Sequence, residues 1–159
     1  MLGAMRITHK VDYGVRVMAA LAVADAADPG VLVTRETLAT QAGLPHGFLN
    51  DILRILRVAG LVRSHRGPDG GWSLAKPASS ITVADIIRAL EGPLSSVRGV
   101  RPNELASVGL TEPLISLWVA VRVALRSVLE RVTVADLASG TLPDEIAEMV
   151  KDPEAWSVR

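Results

Sequence analysis

His46, Asn50, Arg54 and Arg57 follow one another at spacings of four, four and three, the intervals that bring side chains onto one side of an α-helix. The chemistry of the row is that of base-edge and phosphate recognition. An asparagine amide pairs with adenine and an arginine fork with guanine, while histidine and a further arginine reach phosphate. Gly47, inside the row, lets the backbone come close to a partner. Arg63, His65 and Arg66 form a second basic group, and it runs directly into Gly67-Pro68-Asp69-Gly70-Gly71, a turn sequence. His9 and Lys10 form a third, in the first turn of a helix that Thr8 opens; amides at a helix start with an ammonium beside them make a phosphate seat. Arg35, just after a second helix start at Thr34, completes the polar set.

These residues need a framework, and the apolar pattern supplies one. Thr34 caps a helix carrying Leu38 and Ala39 inward and ending at Gly43. Gly43-Leu44-Pro45 turns the chain, and Pro45 starts the next helix, where its fixed φ helps and its missing N–H does no harm. That helix sends Phe48, Leu49, Ile52, Leu53, Ile55 and Leu56 towards a core and ends at Gly60. Residues 61–66 then read as a strand and Trp72-Ser73-Leu74 as its return, a hairpin with the glycine-rich tip between them. Helix, turn, helix, hairpin is the order of a winged helix-turn-helix, which lays its second helix in the major groove and its hairpin over the adjoining minor groove.

The remainder divides at its breakers. Thr8 opens a helix to about Ala26 with Val11, Val15, Met18, Leu21 and Ala22 at helical spacing. Asp28-Pro29-Gly30 turns, and Val31-Leu32-Val33 is a candidate strand to pair with the hairpin. Thr82 caps a helix with Val83, Ile86, Ile87 and Leu90, and Gly92-Pro93 stops it. From Leu94 to Thr111 no period persists, so this is the long loop, and loops of such length are functional or mobile. Residues 112–132 form a helix that is apolar almost all round: Leu114, Leu117, Trp118, Val121, Leu125, Val128, Leu129 and Val132 follow a three-four pattern, and Ile115, Val119 and Val123 widen the stripe. A second subunit is the expected cover for it, with a core helix inside one chain as the alternative. Pro143 to Arg159 reads as a short helix, Asp144 to Lys151, and a loose end.

Composition sets the limits. The chain has 159 residues, 49% of them hydrophobic but only 3% aromatic, so Ala, Val and Leu must fill the core. Formal charge is zero overall, yet its distribution is uneven. Up to Ala78 there are nine Lys/Arg against six Asp/Glu and beyond it eight against eleven, so the halves carry +3 and −3. The positive half holds the polar row. With no cysteine there is no disulfide framework, and no spanning apolar run or cleavable signal is evident, which predicts a cytoplasmic protein without a membrane partner. His9, His46 and His65 lie on separate elements without acidic neighbours at metal spacing, so no metal site is predicted. Nucleotide-cradling and serine-nucleophile motifs are absent, so no enzyme is predicted and no cofactor.

The run Arg63-Ser64-His65-Arg66-Gly67-Pro68-Asp69-Gly70-Gly71-Trp72 resembles the wing signature of the IscR/NsrR-type winged-helix regulators. Met5-Arg6-Ile7-Thr8-His9-Lys10-Val11-Asp12-Tyr13-Gly14 is similar to that family's opening, and Ser80-Ile81-Thr82-Val83-Ala84-Asp85-Ile86-Ile87 to its helix after the wing. Trp118 and Thr133-Val134-Ala135-Asp136-Leu137 match its long helix and the sequel, so the resemblance spans about Met5 to Leu137. It implies a homodimeric transcription regulator, a repressor, on a palindromic double-stranded operator. Family members commonly hold an iron–sulphur cluster with three cysteines, which this chain lacks. The aligned positions fall near Gly99, Glu112 and Ile115. Asp12 stands where some relatives have an acidic ligand and Arg16 where they have a histidine. Cluster sensing therefore does not carry over.

The expected architecture is mainly α with a small β-wing. A winged helix-turn-helix region covers 1–78 (helix 8–26, helix-turn-helix 34–60, wing 61–75), followed by a connecting helix 79–92. A loop at 93–111 stands in place of the cluster-binding loop, a dimerisation helix covers 112–132, and a C-terminal segment covers 133–159. An unidentified effector at the 94–111 loop, with Arg98, Arg101 and Glu104 as contacts, is one reading of that loop; a mobile connector is the other. A winged-helix protein-interaction module that has lost DNA binding is the alternative function. Residues 1–4 add nothing that can be interpreted.

Overall fold

The computed structural model describes residues 7–96, 101, 104 and 111–157. Met1 to Ala4, Arg98 and Gly99 lie outside the described residues, as does most of the 94–111 loop. Helix α1 (His9–Ala27) is capped by Thr8, whose hydroxyl accepts from the Val11 amide at 3.2 Å. Helix α2 (Arg35–Ala42) is capped in the same way by Thr34 and ends at Gly43, which sits in the left-handed region at φ 66°. Helix α3 (His46–Val58) follows Pro45. Strands β1 (Val62–His65) and β2 (Gly71–Leu74) form an antiparallel ribbon with Val62 opposite Leu74 and His65 opposite Gly71. The expected first strand, 31–33, is reduced to one bridge: Val33 and Trp72 exchange both backbone hydrogen bonds, at 2.9 and 2.8 Å. The contact is tight enough that a Cβ on Gly71 would lie 2.9 Å from the Val33 carbonyl oxygen.

Helix α4 (Val83–Glu91) opens with a reciprocal capping box between Thr82 and Asp85. Helix α5 (Thr111–Leu129) is the long one, and α6 (Val134–Ser139) and α7 (Asp144–Met149) close the chain. The core gathers Val17, Met18, Leu21, Leu38, Leu49, Ile52, Leu53, Leu56, Val62, Trp72, Ile81 and Ile86 from α1 to α4 and the wing. Interdigitated aliphatic side chains do fill it, as the composition requires; Trp72 is its aromatic member.

Three expectations need correcting. Phe48 is 57% exposed and outside the core, because it sits in the first turn of α3, at the margin of the packed interior, where it meets the half-buried Tyr13. The start of the C-terminal segment is packed into the fold. Val134 is wholly buried in the same core, α6 packs against α1, and the Val83 and Val134 amides donate to Val132 and Ile81 carbonyls at 2.9 Å each. Val132 therefore belongs to this chain's own interior, 6% exposed, and lies past the end of α5. It cannot serve a partner subunit. A smaller correction concerns α7, which stops at Met149, after which the chain turns so that the Trp156 indole donates to the Val150 carbonyl at 2.7 Å.

Helix α5 differs from the others in that none of residues 112–129 is buried. Leu114 and Leu117 are 46% and 53% exposed, and Trp118, Val121, Leu125, Val128 and Leu129 are only partly covered. Glu130 ties its end to α4 by accepting from Arg88 and, at 2.9 Å, from Arg126.

Candidate nucleic-acid interface

Helix α3 splits cleanly between two faces. Leu49, Ile52, Leu53 and Leu56 are buried, and His46, Gly47, Asn50, Arg54 and Arg57 are exposed on the side turned away from the core. Arg54 is held loosely by Asp51, 3.8 Å away, with both side chains well solvated. Pro45 offers no side chain to the opening amides, so the positive end of α3 lacks a side-chain cap. Gly47 occupies this turn without a structural reason for being glycine. Its φ is not in the left-handed region, and a Cβ built on it meets nothing within 4 Å.

Two elements flank α3. The His9 and Tyr13 rings lie 6.0 Å apart and the Tyr13 and Phe48 rings 5.8 Å apart, an aromatic row joining the first turn of α1 to the first turn of α3. Sequence reasoning missed Tyr13, although its four-residue spacing from His9 was available as a signal. Of Thr8, His9 and Lys10 at the start of α1, two are already engaged within the chain. The Lys10 ammonium donates to the Leu90 carbonyl at 2.7 Å and the Thr8 hydroxyl donates to the Glu91 carboxylate, both at the end of α4. Lys10 retains two N–H donors for a further acceptor.

On the other flank is the wing. Arg63, His65, Arg66 and Gly67 are exposed, and alternation along β1 sends Arg63 and His65 to one face and Ser64 to the other. Ser64 accepts from Arg57 at 3.4 Å, which fixes the wing beside the end of α3, while His65 is within 3.3 Å of the Ser73 hydroxyl. Of the basic group, Arg63 and His65 thus share one surface of the ribbon, and Arg66 follows the strand. Gly70 is forced by crowding, since a Cβ there would lie 2.3 Å from the His65 carbonyl oxygen. Arg35 lies over the Trp72 ring at 6.0 Å, a cation–π contact between α2 and the base of the wing.

At the position where a cluster ligand would stand on α1, Arg16 pairs with Asp12 at 2.9 Å. A guanidinium cannot ligate iron, the carboxylate is engaged by it, and the sequence has no thiolate to offer. These residues do not fit a cysteine-held cluster.

Residues 7–140 match the Rrf2 family, described as iron-dependent transcriptional regulators. A Mycobacterium tuberculosis protein named as an HTH-type transcriptional regulator is 44% identical over 151 residues, covering 95% of this chain and 92% of that one. Among solved structures, CymR, the global cysteine regulator of Bacillus subtilis, superposes with a TM-score of 0.70 at 34% identity, over 86% of this chain and 98% of that chain. IscR of T. potens does so with a TM-score of 0.63 at 30% identity, over 97% and 93%.

Proposed function

The chain belongs to the Rrf2 family of transcriptional regulators, and from that premise we propose that it acts as a homodimeric repressor of a palindromic operator without an iron–sulphur cluster. The observation that carries the reading is the exposed row on α3, whose opening turn is free of a side-chain cap and whose far end is fixed to the wing through Arg57 and Ser64. In this reading Asn50 and Arg54 meet base edges in the major groove, and His46, Gly47 and Arg57 meet phosphate. Phe48 contributes an apolar contact from the same turn. Arg66 and Gly67 reach the flanking minor groove from the wing tip, with Arg63 and His65 on backbone phosphates and Arg35 nearby. Thr8, His9 and Lys10 add a phosphate seat at the start of α1.

The incompletely covered face of α5 supports dimerisation, with Leu114, Leu117, Trp118, Val121, Leu125, Val128 and Leu129 as the contacts. An isologous pair buries the same patch twice and closes without further growth. Two reading helices then meet half-sites one helical turn, about 34 Å, or a multiple apart. No described helix is long and apolar enough to cross a membrane, which agrees with a role on cytoplasmic DNA.

A gel-shift against the DNA upstream of the protein's own coding sequence, at 50 and 200 mM salt, tests the reading. A specific complex that weakens steeply with salt is expected. Equal binding to unrelated DNA of the same length overturns it. Anaerobic purification with absorbance spectroscopy and iron analysis tests the cluster-free part: a colourless protein that shifts its operator is expected, and stoichiometric iron refutes it.

A further inference from the structure

A cavity of about 280 Å³ opens where α4 ends and α5 passes it. Four arginines line it: Arg88 from the last turn of α4, Arg122 and Arg126 from successive turns of α5, and Arg101 from the connecting segment. Gly92 and Leu94 are part of its wall. Among the described residues, carboxylates facing these arginines include Glu130, which accepts from both Arg88 and Arg126, Asp85, 3.6 Å from Arg88, and Glu104, 3.8 Å from Arg101, and Arg122 is engaged as well. The two hydrogen bonds hold the Glu130 carboxyl below the usual glutamate range, that from Arg126 contributing most, and Glu130 in turn raises Arg126.

Glu130 shows the kind of group that two of these guanidiniums hold. An oxyanion already sits between a guanidinium on α4 and one on α5, supplied by the chain itself. Each guanidinium carries five N–H donors in a planar fork suited to carboxylate and phosphate oxygens, so Arg88 and Arg126 keep donors after binding Glu130. The same last turn of α4 that carries Arg88 also receives Lys10 and Thr8 from the start of α1. The end of α4 thus connects the cavity with the start of α1, the proposed phosphate seat.

We propose that this cavity is an effector site for a small metabolite bearing carboxylate or phosphate oxygens, held across α4 and α5, and that its occupation changes operator affinity. The effector role rests on the operator reading above, whereas occupation of the site does not. Isothermal titration of the full-length protein without DNA, at constant ionic strength, with citrate and with inorganic phosphate as probes, measures the site and separates the two oxyanion types. Saturable binding of at least one probe is expected, weakened at least about tenfold by Arg122→Gln or Arg126→Gln, as loss of a charge-assisted contact requires. Glu130→Gln frees two guanidiniums and should tighten binding, a change of opposite sign that damage to the fold does not produce. Arg16→Gln, on α1, should leave it unchanged. Absence of binding by both probes, or binding indifferent to the α5 arginines, overturns the site. Binding that leaves wild-type operator affinity unchanged overturns the effector role.

Discussion

Gly47→Ala separates a glycine kept for the fold from one kept for a partner, because the two roles predict opposite outcomes. Within the chain the new methyl is harmless. The helical φ suits alanine, and nothing lies within 4 Å of the added Cβ. Alanine is favoured over glycine inside a helix by up to about 1 kcal/mol, so the variant should be more stable by about 0.5 kcal/mol and melt about 1–2 °C higher. On DNA the methyl stands at the opening turn of α3, between the backbone amides and the phosphate proposed to approach them. Displacing that phosphate forfeits a hydrogen bond to a charged group, about 1.5–3 kcal/mol, which is roughly a ten- to hundredfold loss of operator affinity. Thermal melting and gel-shift titration at one fixed salt concentration, on the same preparation, give both numbers. A variant that melts lower by several degrees shows glycine to be structural there. One that melts higher and binds as tightly as wild type removes Gly47 from the interface.

Asn50→Ala should relax preference at particular base pairs, costing about 1–3 kcal/mol of discrimination, whereas Arg66→Ala should weaken binding evenly or alter preference for a narrow minor groove; an unchanged selected operator for Asn50→Ala rejects its base-reading role. Leu117→Glu leaves an isolated chain intact, since Leu117 is 53% exposed, but puts two carboxylates into the dimer seam at a cost of several kcal/mol. Sedimentation should then show monomer at micromolar concentration, and a persistent dimer points to another face. Val134→Ala removes buried methyl groups from the core and should cost about 2–3 kcal/mol, lowering the melting temperature by several degrees; an unchanged melt would mean that α6 is not part of the cooperative unit. Because the folded state lowers the Glu130 pKa, its contribution is present above the ordinary value of about 4.3 and is lost as pH falls through the lower folded value. Melts between pH 7 and pH 3 should therefore decline less steeply for Glu130→Gln than for wild type, and parallel curves would refute the pairing.

What the sequence determined by itself is whatever a few neighbouring residues decide. Thr8, Thr34 and Thr82 cap helices through amides three residues on, Gly43 ends α2 in a left-handed conformation, and the glycine-rich tip turns the wing. From those starts and stops the three-four pattern gives the inner and outer faces of α3, and with them the exposed row from His46 to Arg57. Tertiary structure alone decided which partner each surface meets. Phe48 fits the apolar period of α3 yet lies beyond the packed middle of the helix, against Tyr13. Val132 continues the stripe of α5 in sequence but is drawn into the chain's own core by the pairing of Val83 with its carbonyl. Val134 is buried against elements more than a hundred residues earlier in sequence, among them Val17, Met18 and Leu21 of α1. The Lys10 ammonium finds the Leu90 carbonyl eighty residues away, and four arginines scattered between 88 and 126 converge on one cavity. Caps and turns close over three or four residues of chain and so leave a local signature. Contacts between distant elements depend on how whole helices pack, and nothing in the intervening sequence records which of several apolar or charged side chains will be brought together.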